Sequence, residues 1–161
     1  MEKTALIVMI LTIFSKILGF FREIILSYFY GTSGISDAYL ISTTIPEVMF
    51  NVVGIGIATT YIPMYNKIVE EKDLNSAENF TSNVVNVNML ICSVLFLFGI
   101  SYTKPIVKLF ASGFEDEILK MAVKFTKIAL VGIYFSGLTS IYIGYLQIKN
   151  NFWAPALIGV P

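Results

Sequence analysis

The chain has 161 residues, of which 56% are hydrophobic and 14% charged, with 11 basic and 11 acidic side chains and a formal net charge of zero. Soluble domains carry roughly 25% charge, so this composition, with a mean hydropathy of +0.76, points to lipid as the principal solvent. Balanced and scattered charge excludes the basic stripe of a nucleic-acid binder, the absence of histidine removes His-ligated zinc and the commonest general base, and a single cysteine, Cys92, cannot build a disulfide framework or a thiolate metal cluster. The expected class is an all-α integral membrane protein, a polytopic helical bundle of about four transmembrane helices and the start of a fifth.

The first helix is expected from about Ala5 to Tyr30, stopped by Gly31-Thr32-Ser33-Gly34. Met1-Glu2-Lys3 and the apolar run after it lack a small-x-small cleavage site, so this is a retained helix rather than a signal peptide. At 1.5 Å per residue it is about 39 Å long, more than the ~30 Å hydrocarbon core. The second helix runs from about Ile35 to Tyr65, with Pro46 inside and Pro63 near its exit, and Asn66 to Glu78 reads as an aqueous loop. A third spans roughly Asn79 to Tyr102, ended by Lys104-Pro105. Next comes a short amphipathic piece, Lys104 to Phe114, too short to cross and suited to the interface. The fourth helix extends from about Ile118 to Gln147, Lys149-Asn150-Asn151 turns the chain, and a further apolar segment begins at Phe152.

Lys16, Arg22 and Glu23 interrupt the first apolar helix, where each charge costs about 2.5–3.5 kcal/mol at mid-membrane. Thr12, Lys16, Gly19, Glu23 and Ser27 share one helix face, with Arg22 beside it. The second helix answers with Thr44, Glu47, Asn51, Gly54 and Ala58, and the third with Asn79, Asn83, Asn86 and Ser93. Two readings stand: the groups neutralise one another and hold a bundle together, or they line a hydrated cavity that receives a polar or anionic ligand. Ser136, Ser140 and Gly144, like Gly54 and Ala58, form small-residue ladders suited to close helix contacts. Ser101 to Lys104 matches S-x-x-K without its companion motifs and Asn79-Phe80-Thr81 matches a glycosylation acceptor without context, so both read as chance. No P-loop or dinucleotide fingerprint occurs.

Phe14-Ser-Lys-Ile-Leu-Gly-Phe-Phe-Arg-Glu23, Gly31, Asp37-Ala-Tyr39, Ile45-Pro46, Tyr61-Ile-Pro63, Gly113-Phe114 and Phe152-Trp-Ala-Pro-Ala156 together resemble the amino-terminal signature of the MurJ (MviN) lipid II flippases. The resemblance covers essentially the whole chain. It implies the amino-terminal portion of a fourteen-helix transporter of the multidrug/oligosaccharidyl-lipid/polysaccharide exporter superfamily, two lobes around a central cavity in the bacterial cytoplasmic membrane. It also implies a cytoplasmic amino terminus, an outward-facing turn at Gly31 to Gly34, an outward amphipathic piece and a cytoplasmic loop at Asn66 to Glu78, an orientation that the Lys/Arg distribution leaves undecided.

The implied activity is not enzymatic: a lipid-linked saccharide precursor such as lipid II crosses the membrane by alternating access. Its partners are that lipid, membrane lipids and the remaining helices, with no cofactor, metal or nucleic acid. The implied substrate-binding set is Lys16, Arg22, Glu23, Asp37, Glu47 and Asn51. The family's Arg-Arg pair on the second helix falls on Phe50-Asn51, and its following acidic residue on Ile55. A drug/cation antiporter of the same superfamily and a non-transporting membrane fragment are the alternatives.

Overall fold

The computed structural model describes residues 2–31 and 33–151, apart from the side chains of residues 2–5 and 7. Among these the chain forms six helices: α1 (Glu2–Tyr30), α2 (Gly34–Glu71), α3 (Leu74–Ser101), α4 (Thr103–Phe110), α5 (Asp116–Ala129) and α6 (Gly132–Ile148). The segment expected to begin a further helix at Phe152 lies outside the described residues.

Each boundary has a local cause. Gly31 adopts φ +58° and donates its N–H to the Ser27 carbonyl at 2.8 Å, the left-handed cap that lets a glycine end α1. Asp73, in extended conformation, accepts a hydrogen bond from the Ser76 N–H at 2.7 Å and caps α3. Hydrogen bonding from Ser76 holds the Asp73 carboxyl below the usual carboxylate range. Pro105 falls in the first turn of α4, where its missing N–H has no intrahelical partner to lose.

Three boundaries differ from the sequence expectation. The loop expected over Asn66 to Glu78 is almost entirely helical: α2 continues to Glu71, only Lys72 and Asp73 separate it from α3, and Lys67 pairs with Glu71 at 3.8 Å one turn on. Polarity marked where the chain leaves lipid, and a helix need not end there. The single helix expected over 118–147 is two, α5 and α6, bent by 42°. At the break the ladder shortens to three-residue spacing, with the N–H groups of Val131, Ile133 and Tyr134 donating to Ile128, Leu130 and Val131, and Gly132 weakens helix continuity there. The amphipathic piece is helical only over Thr103–Phe110; residues 111–115 form a turn.

α2 is the column on which the others pack. Its 38 residues reach about 57 Å, and along it lie three apolar clusters. Ala38 and Ile45 meet Val107, Leu119 and Ala122 at one end; Phe50 meets Cys92, Leu130 and Ile133 in the middle; Tyr61 and Tyr65 meet Ala77 and Ile141 at the other end. In the last cluster the Tyr61 hydroxyl and Thr81 share a 2.8 Å hydrogen bond, and Tyr61 stacks on Phe80. Ser42 and Thr126, both buried, bond within their own helices to the Tyr39 and Ala122 carbonyls, and buried Thr103 bonds back to the Gly99 carbonyl of α3; the Ser33 and Tyr65 hydroxyls are buried without a hydrogen-bond partner among the described residues.

Small residues bring α6 against its neighbours, although the ladder is shifted from the one expected. Gly137 and Gly144 are buried, facing Asn88 with Cys92 and Tyr61 respectively, while Ser136 is exposed. Ser140 does meet α2 near Gly54, and Ala58 is exposed.

By length and composition α2 and α3 can each cross a membrane, and α5 with α6 makes a third span if the bent pair counts as one. α1, about 43 Å long, carries Lys16, Arg22 and Glu23, all exposed. It packs lightly, and Ser15 is its buried residue among those described. This is a helical integral membrane protein.

Candidate functional site

The polar stripes read from the sequence lie on the faces that the bundle leaves open. On α2 the packed side is built from Ala38, Ser42, Ile45, Pro46 and Phe50, and Thr44, Glu47, Asn51 and Ala58 are exposed. On α3 the packed side runs through Ala77, Asn88, Cys92 and Gly99, with Asn79, Asn83 and Asn86 exposed. Thr12, Lys16, Arg22, Glu23 and Ser27 are exposed on α1. Two members of the stripes do lie between helices: Ser93 accepts a hydrogen bond from the Tyr134 hydroxyl of α6 at 3.1 Å, and Gly54 faces Ser140. The charged groups and the three asparagines do not serve as glue among the described residues.

The six candidate residues divide. Lys16 sits in a shallow groove of about 330 Å³ with Thr12, Ile13, Ile17 and Phe20, and has no ion-pair partner among the described residues. Arg22 and Glu23 pair with each other at 3.0 Å, their side chains 56% and 50% exposed. The pair lies within α1 and on its exposed side, not against another helix. Glu47 and Asn51 make no ion pair or side-chain hydrogen bond among the described residues.

Counted from the turn between α1 and α2, Lys16 and Glu47 lie at matching depth, each about 20 Å along its helix. Arg22 is about 9 Å nearer the turn than Lys16. Asp37 stands apart, in the first turn of α2, where it borders a hollow of about 620 Å³ with Leu40, Ile41 and the 110–114 segment.

The position expected for the family's arginine pair also divides. Phe50 is 5% exposed and packs in the middle cluster, whereas Asn51 is exposed. Only position 51 therefore offers a polar group to the open face.

Sequence reasoning missed a groove of about 440 Å³ between α3 and α6, lined by Glu78, Thr81, Ser82, Asn86, Tyr142 and Tyr145. Lys149 closes its rim, 3.9 Å from Glu78 and over the Tyr145 ring at 5.4 Å. Asn86, already on the polar stripe of α3, and the opposite charges of Glu78 and Lys149 were its sequence signals, and assigning Glu78 to a loop hid the pairing. The groove holds no free cation, which separates it chemically from the Lys16 face.

The family model described as Lipid II flippase MurJ matches residues 26–160. The chain belongs to this MurJ family. A probable lipid II flippase MurJ of Buchnera aphidicola subsp. Baizongia pistaciae is 32% identical over 157 residues, covering 96% of this chain and 31% of that protein. The lipid II flippase MurJ of Thermosipho africanus is 35% identical over 150 residues, covering 92% of this chain and 30% of its own length. A solved structure titled lipid II flippase MurJ, inward closed conformation, superposes with a TM-score of 0.79 at 32% identity, over 94% of this chain and 32% of that one. The chain thus spans about a third of the length of these relatives, and the six helices of its described residues correspond to a fragment of the MurJ fold.

Proposed function

We propose that this chain forms the amino-terminal part of a flippase that carries a lipid-linked saccharide precursor, of the lipid II kind, across the bacterial cytoplasmic membrane for cell-envelope synthesis. The observation that carries the reading is the exposure of three polar faces, on α1, α2 and α3, with Lys16 and Glu47 free of ion pairs among the described residues. Charges at membrane depth that do not neutralise one another need water or a ligand. A pyrophosphate headgroup supplies the counter-charge for Lys16, and saccharide hydroxyls supply hydrogen-bond donors for Glu47.

In this reading Lys16 and Arg22, about 9 Å apart along α1, contact successive parts of one elongated anionic headgroup. Glu23 holds the Arg22 guanidinium until the ligand takes its place, a charge-assisted exchange that leaves the ion count unchanged. Glu47 faces saccharide hydroxyls and Asn51 donates its amide to the saccharide or to a remaining phosphate oxygen, both from α2, and Asp37 lies nearer the outward mouth. The polyprenyl tail stays in lipid and no bond is broken. The chain faces outward at Gly31 to Gly34 and at α4, and inward at the α2–α3 hairpin. Alternating access moves the lobe containing this bundle against a second lobe supplied by further helices.

The test is a chimera in which these residues replace the matching segment of the Thermosipho africanus relative, expressed in a bacterium depleted of its own lipid II flippase. Growth is expected to be restored. A chimera that inserts normally yet never supports growth contradicts the reading.

A further inference from the structure

The lysines differ in number and pairing at the two ends of the molecule. At the α2–α3 hairpin end, Lys67 pairs with Glu71 and Lys149 with Glu78, and Lys72 is unpaired among the described residues. At the other end Lys104 and Lys108 of α4 and Lys120, Lys124 and Lys127 of α5 are all exposed and have no ion-pair partner among the described residues, although Glu115, Asp116 and Glu117 are on the same segment. Those carboxylates occupy the cap and first turn of α5, and the lysines follow them toward the break with α6. Charge is consequently layered along α5: negative at the tip, positive one to three turns further in.

The apolar zone starts where the lysines stop. Ile128, next to Lys127, is 66% exposed, and Val131 and Phe135 beyond it are exposed as well. α4 shows the same juxtaposition on a helix of eight residues. Thr103 and Val107 are buried against the bundle, Lys104 and Lys108 lie four apart on one flank, and Leu109 is 82% exposed. An exposed leucine beside unpaired lysines fits neither water alone nor hydrocarbon alone. It fits the phosphate level of a bilayer, where apolar side chains enter the acyl region and ammonium groups snorkel to the headgroups.

We propose that α4 and α5 form a docking surface for anionic phospholipid headgroups, with Lys104, Lys108, Lys124 and Lys127 contacting lipid phosphate and Leu109 inserted between acyl chains. The charge selects the occupant: four ammonium groups complement a net-negative headgroup, while a zwitterionic headgroup places its own cation among them. Phospholipid bound here fixes the depth of α4 in the leaflet. This surface is separate from Lys16 and Arg22 and does not depend on what the cavity carries.

The test uses the 161-residue chain purified in non-ionic detergent and doped with phosphatidylglycerol or phosphatidylcholine, with retained lipid counted by native mass spectrometry. Phosphatidylglycerol is expected to be retained in preference to phosphatidylcholine. Affinity is expected to fall about fivefold for each lysine neutralised near the headgroup level, as in Lys104→Gln/Lys108→Gln and Lys124→Gln/Lys127→Gln. The four Lys→Arg changes, which keep charge and fold, retain it, as does Lys67→Gln/Lys72→Gln at the opposite end.

Equal retention of the two lipids overturns the proposal, as does an equal loss on changing Lys67 and Lys72. Displacement of phosphatidylglycerol by an equal concentration of inorganic pyrophosphate, which would mark a free-anion site, overturns it too. Retention that survives both glutamine pairs shows that some other surface holds the lipid and ends the assignment.

Discussion

Gly137 is a point of close approach between α6 and α3, and replacing it by alanine measures how tightly the bundle is packed. A Cβ at this position would lie 2.7 Å from the Asn88 Nδ2 and 2.8 Å from the Cys92 Sγ. Neither neighbour can yield freely: Asn88 is 2% exposed and Cys92 fully buried, and the Cys92 thiol already contacts the Asn88 Oδ1 and the Ile133 carbonyl. Relief requires α6 to move away from α3 by several tenths of an ångström, and overpacking of this kind costs about 1–3 kcal/mol.

Alanine also favours the helix by up to about 1 kcal/mol over glycine, so the reference is Gly56→Ala, in the interior of α2 with nothing within 4 Å of the added carbon. Unfolding of the chain in mixed micelles, followed by helical circular dichroism, should place Gly137→Ala about 1–3 kcal/mol below Gly56→Ala. Adding Asn88→Ala should recover part of the loss, since Asn88 Nδ2 is the nearest obstacle and has no hydrogen-bond partner of its own. Equal stabilities for the two glycine variants, or a double variant no better than the sum of its parts, would refute the packing described for α3 and α6.

Two further outcomes concern the ends of the bundle. Asp73 has its carboxyl held below the usual range by Ser76, so its ionised form is favoured in the folded chain; the stability it adds is present above the ordinary value of 3.8 and is lost as pH falls through the lower folded value. Amide exchange in the first turn of α3, corrected for intrinsic rate, should be steady from neutral pH to about 4 and accelerate below it, and Asp73→Asn should remove that acid dependence; unchanged protection in strong acid would count against the cap. In a Cys92→Ala background, single cysteines at Asn75 and Ser112, both exposed, should fall on opposite sides of the membrane, with an impermeant thiol reagent labelling only position 112 in intact cells. Labelling at 75 would invert the orientation.

Much of this architecture was legible because lipid imposes a simple rule: long apolar runs become helices, and polar residues inside them face something other than lipid. Most of the stripes on α2 and α3 lie on open faces, as polarity indicated, but Gly54 and Ser93 turn toward α6. Hydropathy could not show that α2 continues helical past Tyr65, because backbone hydrogen bonds persist after lipid ends. Nor could it reveal the break at Leu130 and Val131, which depends on Gly132 together with packing of Leu130 against Gly99 and the middle cluster. The sequence places Asp37 at the start of the second helix, ten residues from Glu47, and folding sets it beside the 110–114 segment. Phe50 and Asn51 are neighbours in sequence that one helical step sends to core and surface. This distinction makes Asn51→Arg, without a change at Phe50, the substitution that restores a guanidinium to the open face.

The central claim is that Lys16 is there for a ligand and not for the scaffold. Removing a lysine from mid-membrane lowers the insertion cost by about 2.5–3.5 kcal/mol, and no ion pair of Lys16 is lost among the described residues. The decisive measurement is membrane abundance and growth rescue, in the chimera, for Lys16→Ala and for Lys16→Ala/Glu47→Ala. The account predicts abundance equal to or above that of the parent chimera in both variants, with growth rescue abolished in both. Loss of Lys16→Ala from the membrane, with the double variant regaining both abundance and growth, would show that the two charges hold the bundle together and would contradict it.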